Sequence, residues 1–259
     1  MDIPSTVSGI RIADKGGIRT LYFQKDDGRQ AIESQVDMGE PHKLRLRYTR
    51  SMFASYLFVP DPEHVLLIGL GGGAMVRFLA HYHPELRVDA VDIDPAVVSL
   101  AAEHFGTQPS EQVRLIAADG LAHLQATLPG HYDVVYIDAY LGSRDTTDRT
   151  GVPLHLKSAA FHAQLRRTLR PGGVAVFNLH MEHGLEDELV PLRAAFSSVH
   201  HFIVPRSRNH VIVVSGGVIP ADPSSLHAAA ARAEPRFQGE FSVAAFVADL
   251  RESGSEDPS

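Results

Sequence analysis

The sequence predicts an α/β fold, a mostly parallel, doubly wound sheet preceded by a small β-rich N-terminal domain. Three observations carry this expectation. Apolar runs of strand length alternate with stretches of helical spacing from residue 60 to about 217, a glycine-rich turn follows the first of those strands, and Asp residues close the strands after it. The boundaries this implies are 1–60 for the strand domain, 61–219 for the α/β domain and 220–259 for C-terminal helices and an acidic tail.

The N-terminal region reads as short strands, GIRIAD, IRTLYFQ and AIESQVDMG, with a polar KDDGRQ turn before the third. KLRLRYTR alternates as well, which predicts a strand carrying Lys43, Arg45 and Arg47 on one solvated face. In the α/β region HVLLIGL is a buried strand, GAMVRFLAHYH a helix, RVDAVDI a strand and PAVVSLAAEHF a helix. VRLIAA, LAHLQATL and YDVVYID continue the alternation, followed after a long loop by the helix SAAFHAQLRRTL and the strand VAVFNL. LEDELVPLRAAF is the last helix of the series, and HHFIVP and HVIVVSG lie close enough together to form an antiparallel edge. Residues 224–251 have helical composition, and GSEDPS is a solvated tail.

Composition narrows the function. With 24 Lys+Arg against 31 Asp+Glu the formal charge is −7, which disfavours general binding to a phosphate backbone. The first 60 residues carry nine basic against seven acidic side chains, so the acidity lies in the remainder. The absence of Cys removes disulfides, thiolate-held metals and thiol nucleophiles. No signal-like apolar core opens the chain and no window approaches 18 apolar residues, so a cytoplasmic address with neither membrane nor nucleic-acid partner is expected.

The turn Gly69-Leu-Gly71-Gly72-Gly73-Ala74 leads from a strand into a helix whose free N–H groups and positive dipole end suit a ligand. Its spacing to Asp92 also satisfies a dinucleotide fingerprint. Asp92 and Asp94, Asp119-Gly120 and Asp138 then close successive strands, so their carboxylates converge on one crevice. A carboxylate for a ribose and a polar group for an adenine amine fit S-adenosylmethionine or its decarboxylated form, whereas a nicotinamide dinucleotide leaves Asp119 without a role. Asp is also a common helix N-cap, which explains each acid singly but not their alignment. A non-catalytic nucleoside-binding module remains a further alternative. His180-Met-Glu-His183 offers too few converging ligands, so no metal is expected.

The segment 65–178, with LIGLGGGAMVRFL, VDAVDIDPAVVSLAAEHF, ADG, YDVVYIDAY and LRPGGVAVFN, resembles the spermidine synthase (polyamine aminopropyltransferase) branch of the Rossmann-like class I S-adenosylmethionine-dependent methyltransferase fold. The resemblance implies a nucleoside donor held by Gln35, Gly69, Gly71, Gly73, Asp92, Asp119 and Gly120. It also implies that Asp138, with Tyr140 beside it, orients and deprotonates an amine, that Tyr48 belongs to the acceptor side, and that the chain forms a homodimer. Two positions depart from the family. Gly72 stands where the family carries an Asp that grips the aminopropyl ammonium, and Leu141 where it carries a second Asp three residues after the first. Losing both points to methyl transfer from the intact donor to an amine acceptor, with aminopropyl transfer from the decarboxylated donor as the alternative. The loop 139–154 matches the family's gate, where Asp145 and Asp148 would restore negative charge for a cationic acceptor.

Overall fold

In the computed structural model, residues 2–3, 9–24, 28, 30–141, 146–148, 150–180 and 184–251 are described. The alternating N-terminal segments pair as expected: β1 (Asp2–Ile3), β2 (Ile10–Lys15), β3 (Ile18–Gln24) and β4 (Gln30–Asp37) form an antiparallel sheet in that order. Ile12, Leu21 and Val36 line its inner face and pack on Leu100 and Phe105 of a helix from the main domain.

The alternating segment from Lys43 does not continue this sheet. Chain after Leu46 turns into α1 (Arg47–Ser51) and a tight helical segment, Met52–Leu57. Every residue of 51–57 is buried, which a strand on one small sheet, burying alternate side chains, cannot achieve. No strand therefore aligns the three basic side chains. Lys43 pairs with Glu40 at 2.7 Å, and Arg45 lies 3.9 Å from Asp37.

Five parallel strands form the centre of the second sheet: β5 (His64–Ile68), β6 (Arg87–Asp92), β7 (Val113–Ala117), β8 (Tyr132–Ile137) and β9 (Leu169–His180). β10 (Ser198–Ile203) and β11 (Asn209–Ser215) are antiparallel to each other, and β11 inserts between β9 and β10. β12 (Leu250–Arg251) extends the edge, giving the order β12-β10-β11-β9-β8-β5-β6-β7. The C-terminal segment is thus helical over 223–237 and 246–249, with turns between, and ends in a strand.

Helices cover both faces. α2 (Ala74–Tyr82), the 52–57 segment and α7 (Pro223–Ala233) bury one face. α4 (Gly120–Ala126), α5 (Ala159–Thr168) and α6 (Leu185–Ala195) bury the other. α3 (Pro95–Phe105) carries the small sheet, and α8 (Phe246–Asp249) packs near the C-terminus. The direction of winding reverses between β5 and β8, and it is outside this pair's carboxyl ends that a doubly wound sheet binds ligands. No described helix is long and apolar enough to cross a membrane.

Candidate functional site

The site begins where β5 meets β8. The Asp138 amide donates to the Ile68 carbonyl at 2.9 Å, and Gly69 follows at φ +95°. A Cβ at Gly69 would lie 2.1 Å from the Asp138 carbonyl oxygen, so only glycine permits this approach. The glycine turn is braced from β6. Asp92 accepts the Leu70 amide on Oδ2 at 2.9 Å and the Asp94 amide on Oδ1 at 3.1 Å. Burial pushes the Asp92 carboxyl up, and these amides, with that of Gly71, offset only part of it.

Asp94 and Asp119 do both things the sequence suggested. Each caps its helix, accepting the Ala96 amide and the Ala122 amide at 2.9 Å, and each also borders the crevice. The second Asp119 oxygen pairs with His155 Nε2 at 2.7 Å. Gly69, Gly71, Asp92, Asp119, Gly120, Asp138 and Tyr140 come together around one cavity of about 200 Å³.

Asp138 is partly enclosed. Its carboxylate accepts the Asn178 amide at 2.8 Å and the Tyr48 hydroxyl. Burial raises the carboxyl above its ordinary value, and these two donors return only part of that rise. Tyr48 is pushed far up by burial and by the negative charge of Asp138 and Glu33, so it stays a donor. It borders a smaller recess behind the turn with Glu33, Gly69, Gly71 and Asp138. Tyr140 turns its hydroxyl to the Asn178 carbonyl at 2.8 Å, pinning the start of the loop.

Other residues go elsewhere. Gly73 packs on Thr107 behind the turn, and Gln35 donates its amide to Thr20 at 3.2 Å; neither borders the cavity. Asp148 folds into its own loop, accepting the amides of Thr150, Gly151 and Val152 on Oδ1 and Lys157 on Oδ2 at 2.5 Å. That charge is already matched. Asp145 and His183 lie outside the described residues.

Glu33, His155 and Asn178 border or support the site without having been singled out from the sequence. Glu33 sits at an irregularity of β4, where the pairing steps from Leu21–Ser34 to Tyr22–Ile32, so it reaches the turn beside Ser34 and simple alternation along the strand would not place it there. Asn178 is the polar residue in the otherwise apolar VAVFNL. Nothing near His155 marks it. At Gly72 a Cβ would lie 2.7 Å from Ser34 Oγ and 2.8 Å from Phe105, so a side chain there requires Ser34 or Phe105 to shift. Beside Gly71, however, the Glu33 side chain comes within 3.9 Å of the same construction. A carboxylate is thus present near the turn, supplied by β4.

A glycine turn at the switch point, with carboxylates closing the strands around it, defines the nucleoside-binding α/β class of the Rossmann-like methyltransferase fold. Residues 47–205 match the model of the spermine/spermidine synthase domain, and the chain belongs to that family. It is 29% identical over 214 residues to a polyamine aminopropyltransferase of Vibrio vulnificus, covering 82% of this chain and 69% of that one. It spans 50–60% of other curated aminopropyltransferases. It is also 31% identical over 173 residues to the mouse eEF1A lysine and N-terminal methyltransferase, covering 64% of this chain and 24% of that protein. The structure of a probable spermidine synthase from Corynebacterium glutamicum superposes with TM-score 0.70 at 18% identity, covering 100% of this chain and 98% of the other.

Proposed function

We propose that the protein transfers an alkyl group from a sulfonium nucleoside of the S-adenosylmethionine type to an amine, and that the group is aminopropyl from the decarboxylated donor. One observation carries this reading. Glu33, Asp92, Asp94, Asp119 and Asp138 all border the cavity, and no Lys or Arg stands among its described lining residues. A donor with a sulfonium and an ammonium but no carboxylate suits such a wall. The expectation of methyl transfer rests on the carboxylates missing at both Gly72 and Leu141. Glu33 offers one beside Gly71 and weakens that argument.

In this reading Asp92 faces the ribose hydroxyls, Asp119 the nucleobase side and Glu33 the aminopropyl ammonium. The uncharged amine nitrogen attacks the carbon next to sulfur. The C–S bond breaks with its electron pair going to sulfur, leaving a neutral thioether, and the alkylated nitrogen gives its proton to Asp138 or to water. Charge is dispersed rather than created, so holding the reactants in line supplies most of the acceleration. The raised pKa of Asp138 makes it a better proton acceptor than an ordinary carboxylate.

Methyl transfer from the intact donor is the second reading, favoured by the closed position at Gly72, by Leu141 and by the similarity to the eEF1A methyltransferase. Calorimetric titration with both nucleosides separates the two. Tighter binding of the decarboxylated donor, with transfer of its aminopropyl group to an amine by mass spectrometry, is expected. Preference for the intact donor with a methylated product overturns it.

A further inference from the structure

Three neighbouring strands each bring one polar side chain to the edge of the site. Asp138 follows β8, Asn178 lies near the end of β9 and Asn209 opens the antiparallel β11. Ile137 pairs with Phe177, which sets Asp138 beside Asn178, and Asn178 pairs with Val211, which makes Asn209 its diagonal neighbour on the same face. The side chains form one hydrogen-bonded chain. The Asn178 amide donates to Asp138 Oδ1 at 2.8 Å, the Asn209 amide donates to Asn178 Oδ1 at 2.9 Å, and the Ser207 hydroxyl donates to Asn209 Oδ1 at 2.7 Å. The Asn209 main-chain amide donates in turn to Ser207 Oγ at 3.1 Å, within the β10–β11 turn.

We infer that Asn209 is a positioning residue for the reaction: it fixes the Asn178 side-chain amide so that the NH2 group, and not the oxygen, faces Asp138. The inference rests on the alkylation proposed above, in which Asp138 takes the proton. The sense of the chain follows from its end. A carboxylate only accepts, so Asn178 must turn its NH2 to Asp138 and its oxygen to Asn209. That oxygen needs a donor, because Asn178 is 4% exposed and an unmet acceptor at that depth is costly. Asn209 supplies the donor, and Ser207 holds Asn209 in the donating sense. An Asn amide fills nearly the same space in either orientation, so packing alone does not select one. Without Asn209, a flipped Asn178 would set its oxygen against the Asp138 carboxylate. Among the described residues the titratable groups around Asp138 are Tyr48 from α1, Glu33 from β4 and Tyr140 from the loop after β8, with Asp92 and Asp119 across the cavity. Asn209 stands opposite His180 in the ladder, and Arg206 and Arg208 lie in the exposed turn before it. An uncharged replacement of Asn209 alters none of these charges, so a change in Asp138 ionisation reports the hydrogen-bonded chain.

The experiment follows the acid limb of kcat against pH in wild type and Asn209→Leu, with whichever nucleoside and amine support turnover. In parallel the Asp138 carboxyl is titrated by carbon NMR in the resting protein, its signal assigned by its loss in Asp138→Asn. Releasing the Asn178 amide leaves the carboxylate less stabilised, so its pKa rises further. The limb is expected to move to higher pH by about 0.5–1 pH unit, which lowers the rate on the limb about three- to tenfold. The plateau above the limb and the KM for the donor should stay as in wild type. Ser207→Ala, at an exposed position, is expected to move the limb in the same direction by less, and gives the same readout should Asn209→Leu not fold. A limb and a carboxyl pKa that stay in place in a folded variant, with product still formed, overturn the inference and leave the alkylation reading standing. An equal loss of kcat at every pH also overturns it, because a disordered site and not a turned amide produces that. A carboxyl pKa that rises in Asn209→Leu while no donor yields an alkylated product sustains the role of Asn209 in holding Asp138 and sinks the alkylation reading.

Discussion

The two ends of the parallel sheet each enclose aspartate, and they treat it in opposite ways. At the amino-terminal end Asp89 is gripped on both oxygens. Arg114 donates to Oδ1 at 2.6 Å and to Oδ2 at 2.5 Å, the Tyr132 hydroxyl donates at 2.8 Å and His64 Nε2 stands at 3.2 Å. Burial alone pushes this carboxyl up, but hydrogen bonds from His64, Arg114 and Tyr132 outweigh it and hold the group well below the carboxylate range. At the carboxyl end the donors to Asp138 among the described residues are the neutral Asn178 and Tyr48, and burial wins. A cation partner makes a buried carboxylate a structural clamp, and its absence leaves one able to take a proton. The same contrast bears on metal binding. His64, Asp89 and His131 lie close enough together to surround an ion, but the Arg114 fork already occupies both oxygens of the carboxylate.

The most direct way to break this comparison is at Asp138. Asp138→Asn keeps the shape and an acceptor for Tyr48 while removing the base, and kcat is expected to fall by about 10²–10⁴ with donor affinity within a factor of a few. The wild-type rate is expected to fall on the acid side as the carboxyl protonates, at a pH above the ordinary Asp value because its pKa is raised. That limb should vanish in the variant. An unchanged rate would remove Asp138 from the chemistry.

At the other end the cost is paid in stability. Asp89→Asn leaves Arg114 without its charge partner, and unfolding in urea is expected to show a loss of about 2–3 kcal/mol, below the range for fully enclosed pairs because the Arg114 side chain is 60% exposed. The folded enzyme should keep its kcat. In wild type the Asp89 contribution is complete above the ordinary Asp pKa and is lost only as pH falls through the depressed folded value. A different group acts earlier. Burial lowers the His83 imidazole from 6.5 to about 4. Its neutral form is therefore favoured by the fold, and stability is complete above 6.5 and declines as pH falls toward 4. His83→Gln is expected to flatten the melting temperature over that interval, and Asp89→Asn to flatten it only below. If both flatten the same interval, the separation of the two groups fails.

What was legible in the sequence divides along the same physical line. The parallel strands, the glycine turn and the carboxylates that end β6 and β8 follow from local pattern, because a buried strand must be apolar and a close approach such as Gly69 to Asp138 requires glycine. Residues brought in from outside the alternation were not legible. Glu33 reaches the turn only because the small sheet docks on α3, and its neighbour Gln35 carried the more familiar signal. Asp148 reads as a free acid in a loop, and Lys157, nine positions on, cancels it. The strand expected from Lys43 fails because the burial of 51–57 is set by packing against α2 and α7, which alternation among exposed Lys and Arg cannot report.

A gentler test sharpens the comparison at Gly72. If the family's carboxylate were simply absent from this turn, Gly72→Asp would restore it and improve binding of the decarboxylated donor. The geometry argues otherwise. The new Cβ meets Ser34 Oγ at 2.7 Å and the Phe105 ring at 2.8 Å, and strain of this kind typically costs about 1–3 kcal/mol. Gly72→Asp is therefore expected to melt at lower temperature and to bind the donor no better. Ser34→Gly removes one of the two obstructing contacts and is expected to recover part of the stability of Gly72→Asp when combined with it. Glu33→Gln, by contrast, is expected to weaken the decarboxylated donor several-fold in calorimetry while leaving the melting temperature within a degree or two. A stable Gly72→Asp variant with higher donor affinity would return the ammonium site to the turn and take it away from β4.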